Sequence, residues 1–217
     1  MNLRTESCES QVQFWPREGR HILAYYDDLS IVVYQAYPPS IGSFAIAHQQ
    51  FGGSEFSFSR MSWIKPNFLW MMYRSGWGTK EGQEITLGLR IRRDFFDSIL
   101  EQAVPSTYDP VFVIDRAVWK AKVKNSDVLL QWDPDHSPMG GKLQRRAIQL
   151  GLRGPTFRAF ATTELLEVID LTEFVALQRI HLNGSSHKEL QIPVERLYIP
   201  RNTTVQMRVM LDGVSKG

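Results

Sequence analysis

Apolar residues alternate with polar ones over some stretches of the chain and run unbroken over others. The two patterns predict different elements. In Ile85-Thr86-Leu87-Gly88-Leu89-Arg90-Ile91 every other position is aliphatic, which predicts a strand with one buried face. The β-branched run Ile31-Val32-Val33-Tyr34 predicts a buried strand that stops at Pro38-Pro39. Val111 to Ile114, Val128 to Trp132, Leu165 to Ile169, and Leu190 to Ile192 before Pro193 predict further strands. Phe56-Ser57-Phe58-Ser59 has period two and predicts a short one.

Helix signals lie between these runs. Ser40 is placed to cap a short helix through Gln50, stopped by Gly52-Gly53. Pro66 suits a first helical position, and Asn67 to Ser75 is apolar nearly all round, so this helix is expected to be buried. Asp94 is placed to cap a helix reaching about Ala103. Lys142 to Leu150, ended by Gly151, and Leu171 to His181 predict two more. Asp133-Pro134-Asp135 is expected to be a turn and Asn183 to Ser186 a loop. Strands and helices mix without regular βαβ alternation. The expected architecture is one α+β domain with mostly antiparallel strands over 21–212, an N-terminal arm over 1–20 and a flexible tail over 213–217.

Composition narrows the classes. With 217 residues, 43% hydrophobic and 22% charged, a disordered, collagenous or coiled-coil chain is excluded. The longest apolar run, Phe68 to Tyr73, is far short of the ~20 residues of a membrane helix. Met1 to Ser10 lacks an apolar signal core, so a cytoplasmic or nuclear protein without membrane partners is expected. The single cysteine, Cys8, excludes an internal disulfide; in a polar and frayed N-terminus it is not expected to be a catalytic thiol. Histidines 21, 48, 136, 181 and 187 lack metal-ligand spacing, so no metal is expected.

The net charge of +2 matters less than its distribution. Arg60, Lys65, Arg74 and Lys80 fall in a segment without an acid, as do Lys142, Arg145, Arg146, Arg153 and Arg158. Such local concentrations suit a focused anion site. The first segment also carries Trp63, Trp70, Tyr73 and Trp77. Rings that stack on a base or nicotinamide, flanked by cations that hold phosphates, would make a nucleotide pocket. No phosphate loop, nucleophile elbow or dinucleotide-binding glycine fingerprint is present.

Tyr34-Gln35-Ala36-Tyr37, the segment Arg60 to Trp77, Gln131-Trp132-Asp133-Pro134 and the segment Arg145 to Gly154 resemble the DUF4291 family of unknown function. The resemblance covers about residues 14–200. A second resemblance is to toxin-type ADP-ribosyltransferases, which implies a split-sheet fold that binds NAD as a substrate. Val33 to Ile41 is similar to their first strand, Phe58 to Ser62 to their aromatic-serine strand, and Lys188 to Pro193 to their terminal glutamate strand. The second resemblance implies that Glu189 is catalytic and that Gln35, Tyr37, Ser59, Arg60, Trp63, Lys65 and Tyr73 bind the dinucleotide. Gln35 stands where the toxin pattern has arginine, and His187 where many transferases carry the acceptor-selecting residue.

The chemistry has its own logic. Breaking the nicotinamide–ribose bond develops positive charge on the ribose, which a neighbouring carboxylate stabilises. Glu164, Glu167 and Glu195 compete with Glu189 for that role. The acceptor of ADP-ribose, a protein or a nucleic acid, is left open. The alternative expectation is an RNA- or nucleotide-binding protein whose aromatic-basic pocket does no NAD chemistry.

Overall fold

The computed structural model describes residues 3–110, 115–184 and 187–213. In chain order, β1 (Thr5–Ser7), α1 (Cys8–Val12) and β2 (Glu18–Arg20) precede β3 (Ile22–Tyr26), β4 (Ser30–Tyr37) and α2 (Pro39–His48). β5 (Ser62–Ile64), α3 (Phe68–Ser75), β6 (Ile85–Arg92), α4 (Arg93–Gln102), β7 (Val104–Pro105) and α5 (Arg116–Asn125) follow. Next come β8 (Val128–His136), β9 (Lys142–Leu152), α6 (Gly154–Ala161), β10 (Leu165–Asp170) and α7 (Thr172–Asn183). A 3-10 turn over His187–Glu189 leads to β11 (Gln191–Pro193), β12 (Arg196–Tyr198) and α8 (Thr203–Arg208).

Two five-stranded sheets form the body, one ordered β10-β6-β4-β3-β12 and the other β2-β9-β8-β7 with β5 also on β9. Pairing is antiparallel except for β2 with β9 and β7 with β8. The α+β, mostly antiparallel single domain of the sequence is therefore the observed one. Alternation along β4 explains how the first sheet is used. Ile31, Val33 and Tyr37 face a core shared with β8, β9, α2, α4 and α6, whereas Val32 and Tyr34 face a second core with α1, α3 and α7. Between them, Gly88 on β6 lets Leu171 approach; a Cβ there would meet Leu171 Cδ1 at 3.2 Å.

The aromatic helix is buried as its pattern requires. Phe68, Leu69, Trp70, Met71 and Met72 all lie in the interior. Its N-cap is Asn67, whose side chain accepts from Trp70 N at 2.7 Å; Pro66 lies before the cap rather than in the first turn. Gly76 ends it with φ 59°. α2 likewise starts on Pro39, earlier than a Ser40 cap would allow. Asp94 lies inside the first turn of α4, whose N-cap is Arg92.

Four local expectations are corrected. The segment Lys142 to Leu150 is strand, not helix. It pairs with β8 through a turn closed by Ser137 N to Gly141 O at 2.8 Å, and cross-strand partners outweigh helix propensity. Gly151 does not stop a helix; a Cβ there would sit 2.7 Å from Met61 Sδ and 3.0 Å from the Trp63 ring. Asp133-Pro134-Asp135 is not a turn but part of β8, at a register shift that accommodates the proline. Phe56 to Ser59 is irregular chain leading into a turn at Phe58-Ser59, not a strand, and its alternation comes from ring packing: Phe56 stacks on Phe51 at 4.9 Å and Phe58 meets Phe157 at 6.0 Å. The predicted strand Val111 to Ile114 lies outside the described residues, as do residues 185–186 of the loop and 214–217 of the tail.

Residues 5–15 pack rather than fray. β1 pairs with β11, Gln11 Nε2 donates to Ile192 O and Pro193 O at 3.2 and 3.1 Å, and Trp15 Nε1 donates to Glu195 O at 3.0 Å. Cys8 is buried there, and burial pushes its thiol up to about 12, which makes it inert.

Candidate functional site

Among the described residues one isolated backbone bridge joins the two sheets. Tyr34 on β4 and Lys65, just after β5, exchange backbone hydrogen bonds of 2.7 and 3.3 Å. Beyond that bridge β4 and β5 diverge, and Gln35 spans the gap. Its Nε2 donates to Ser62 Oγ at 2.7 Å and to Trp63 O at 3.1 Å, and its Oε1 accepts from Tyr37 Oη at 3.1 Å. The split opens into a cavity of about 680 Å³, within the range of small-molecule sites. Gln35, Tyr37 and Ile41 line one side, Met61, Ser62, Trp63 and Lys65 the next, and Gln131 and Gln149 of the β8–β9 hairpin the wall opposite. Arg60, Arg74 and Gln83 complete the lining.

Its electrostatics are one-signed. Among the described residues the lining holds three cations and no carboxylate. Lys65 is only 5% exposed, and among the described residues it makes no ion pair and its Nζ reaches only Trp63 O at 3.5 Å. Burial, reinforced by the nearby Arg74 charge, pulls its ammonium down to about 8. The Asp133 charge acts against this shift; its carboxylate accepts from Gln131 Nε2 at 2.8 Å and Gln149 Nε2 at 2.7 Å. The amide nitrogens of both wall glutamines are thereby committed to the protein.

Of the residues singled out from the sequence, Gln35, Tyr37, Arg60, Trp63 and Lys65 come together here. Ser59 does not; it is exposed and bonded to Ser57 Oγ at 2.8 Å. Tyr73 stacks on His136 and Trp70 instead, outside the lining. Glu189 is not brought to the cavity. It lies in the 3-10 turn rather than on a strand, its side chain is 67% exposed, and its carboxylate is 3.9 Å from His181 Nε2. The following residue, Leu190, belongs to the core on the Tyr34 face, opposite the face that carries Gln35. Glu164 pairs with Arg92 and Glu167 with Arg90. Glu195 is buried at the start of α3, accepting from Phe68 N at 2.7 Å and Asn67 Nδ2 at 3.0 Å; burial drives its pKa well up despite the Phe68 bond.

Gln131 and Gln149 were not legible as site residues. The strand period of 128–132 puts Gln131 on a sheet face but cannot say what faces it, and a helical reading of 142–150 hides Gln149. Among the described residues no cluster of histidine, cysteine, aspartate or glutamate could hold a metal ion. No described helix is long and apolar enough to cross a membrane.

No curated protein matches this chain. One family model does, over residues 21–198, a span that contains both sheets' cavity-lining strands and the whole aromatic helix. The chain therefore belongs to the family described as "Domain of unknown function (DUF4291)".

Proposed function

We propose that the cavity between β4 and β5 binds the phosphates of a nucleotide, with NAD the ligand favoured by the resemblance to ADP-ribosyltransferases. The observation that carries this reading is Lys65, a buried cation with no carboxylate partner, flanked by Arg60 and Arg74 around one cavity. A buried charge without a partner is costly, and an anionic ligand supplies the missing partner. Arg60 and Arg74 can each present two donors to a phosphate, and the half-buried Trp63 ring offers a flat face for a base or nicotinamide.

For transfer of ADP-ribose, the ribose would need negative charge beside it. Asp133 is not itself a lining residue, but it accepts from two that are, Gln131 and Gln149, and is the carboxylate assigned to that task in this reading, in place of Glu189. The test is calorimetric titration with NAD, ADP-ribose and ATP, beside a nicotinamide-release assay. Binding in the millimolar range or tighter that Lys65→Met abolishes supports the reading. No heat with any of the three would overturn it. Nicotinamide release that Asp133→Asn removes and Glu189→Gln leaves unchanged supports the transferase assignment; the opposite pattern returns the role to Glu189.

A further inference from the structure

A second cavity of about 380 Å³ adjoins the first, and Gln131 lines both. Arg20, Tyr108, Trp132 and Arg146 line it, with Asp109 the one acid. Helix α5 lies alongside. Trp119 Nε1 donates to Pro105 O at 2.8 Å, and Arg116 covers the Tyr108 ring at 5.7 Å. Both Pro105 and Tyr108 are lining residues of the second cavity.

α5 is an odd helix by the standards of folding. None of its residues is buried, and it carries Arg116, Lys120, Lys122 and Lys124 without an acid. Asp115 only caps its start, accepting from Ala117 N and Val118 N. Arg153 ties down its end, donating to Val123 O at 2.6 Å and Lys124 O at 2.8 Å. Core burial does not account for such a helix. Arg116, Lys120 and Lys124 recur every four residues and so share one face. Among the described residues none of these three, nor Arg20 or Arg146, has an ion-pair partner.

We infer that the second cavity and the basic face of α5 bind a single-stranded nucleic acid, presenting one nucleotide at Gln131 to the first cavity. As the acceptor of a transfer, the strand rests on the nucleotide reading above; as a binding surface it stands alone. Unpaired cations in a row track a phosphate backbone, and the Trp132 ring that lines the cavity gives a base something to stack on. An anionic membrane is a poorer fit, since Val118 is the one exposed large apolar side chain of α5 and an interfacial helix needs an apolar face.

The test is fluorescence anisotropy of the full chain with a labelled twelve-nucleotide RNA and its DNA counterpart. Binding should weaken with salt, with a log–log slope of roughly −2 to −3.5 for three to five phosphate contacts. Lys120→Glu with Lys124→Glu should weaken it by about tenfold or more at 0.1 M salt and flatten the slope by roughly 1.4. NAD titration of the same double variant should be unchanged, which separates this surface from the first cavity. The charge-matched control, Arg4→Glu with Lys188→Glu, should leave RNA affinity within about twofold. Equal loss in the control would show net charge alone and overturn the inference. So would polyglutamate or phosphatidylserine vesicles binding as tightly as the strand, or no strand binding at low salt.

Discussion

Lys65 and Arg145 are cations of nearly equal burial, 5% and 4% exposed, in opposite circumstances. Arg145 is fully partnered. Its Nε and a terminal nitrogen meet Asp135 Oδ2 at 2.7 and 2.6 Å, another terminal nitrogen donates to Pro16 O at 2.6 Å, and the group lies over the Trp15 ring at 5.2 Å. Asp135 in turn accepts from His136 N at 2.8 Å. Lys65 has one long bond to a carbonyl and open cavity beyond it. The fold thus knows how to neutralise a buried charge and does so where β8, β9 and the N-terminal segment meet. Where β4 and β5 part, no described carboxylate comes within ion-pair distance of the charge. The first arrangement holds the structure together; the second is the one that the proposed anionic ligand fills.

Arg145 should be the more costly of the two cations to remove. Arg145→Met leaves Asp135 buried and unpaired, and should lower unfolding free energy by about 3–5 kcal/mol in urea titration. Arg145→Met combined with Asp135→Leu should recover most of that loss, because an apolar pair of similar volume replaces an ionic one at little net change. A single-variant loss under about 1 kcal/mol would mean that the pair is not structural and would dissolve the contrast with Lys65.

Lys65→Met should move stability the other way. Folding pulls this ammonium from 10.5 to about 8, so the folded state disfavours the proton. The destabilisation is full below about pH 8, fades as pH rises, and is gone above the unfolded value. Lys65→Met should therefore stabilise the ligand-free protein at pH 7, by at most roughly 2–3 kcal/mol, and the gain should shrink toward pH 10. Thermal unfolding at the two pH values checks this. A destabilising Lys65→Met at pH 7 would show that Lys65 is a structural cation like Arg145.

How this contrast stood in the sequence is uneven. The strands with clean alternation, β4 and β6, and the all-apolar α3 were legible because a single period covers them. β9 was not. Its inner positions Arg145 and Ala147 are followed by Ile148, Leu150 and Leu152, a change of face that imitates helical spacing. Only the pairing with β8 decides between the two. The cations Arg60, Lys65 and Arg74 were visible as a segment without acids, but whether each was partnered was not. Arg145 belonged to the same kind of segment and finds its acid ten residues earlier in the chain. Charge runs reveal where cations are; the three-dimensional position of the carboxylates decides which of them are free. Glu189 shows the reverse limit: a short motif in the right order along the chain, folded to the other face of the sheet from Gln35.

Gln35 stands between the two cations in character. The sequence resemblance makes it a ligand contact, yet its amide is already engaged on both ends, by Ser62, Trp63 O and Tyr37. That makes it a strut between β4 and β5, part of the partnered class with Arg145, rather than an open group like Lys65. Gln35→Ala should then weaken NAD binding only indirectly, by about 0.5–1.5 kcal/mol or up to roughly tenfold. Lys65→Met, which removes the uncompensated charge itself, should cost more affinity. The same Gln35→Ala protein should lose about 1–3 kcal/mol of stability, since Ser62 and Tyr37 hydroxyls are left short of a buried partner. Calorimetric titration beside urea unfolding separates the two. Should affinity fall further in Gln35→Ala than in Lys65→Met while stability stays put, Gln35 touches the ligand directly, and the cavity's specificity lies in its amides rather than in its free charge.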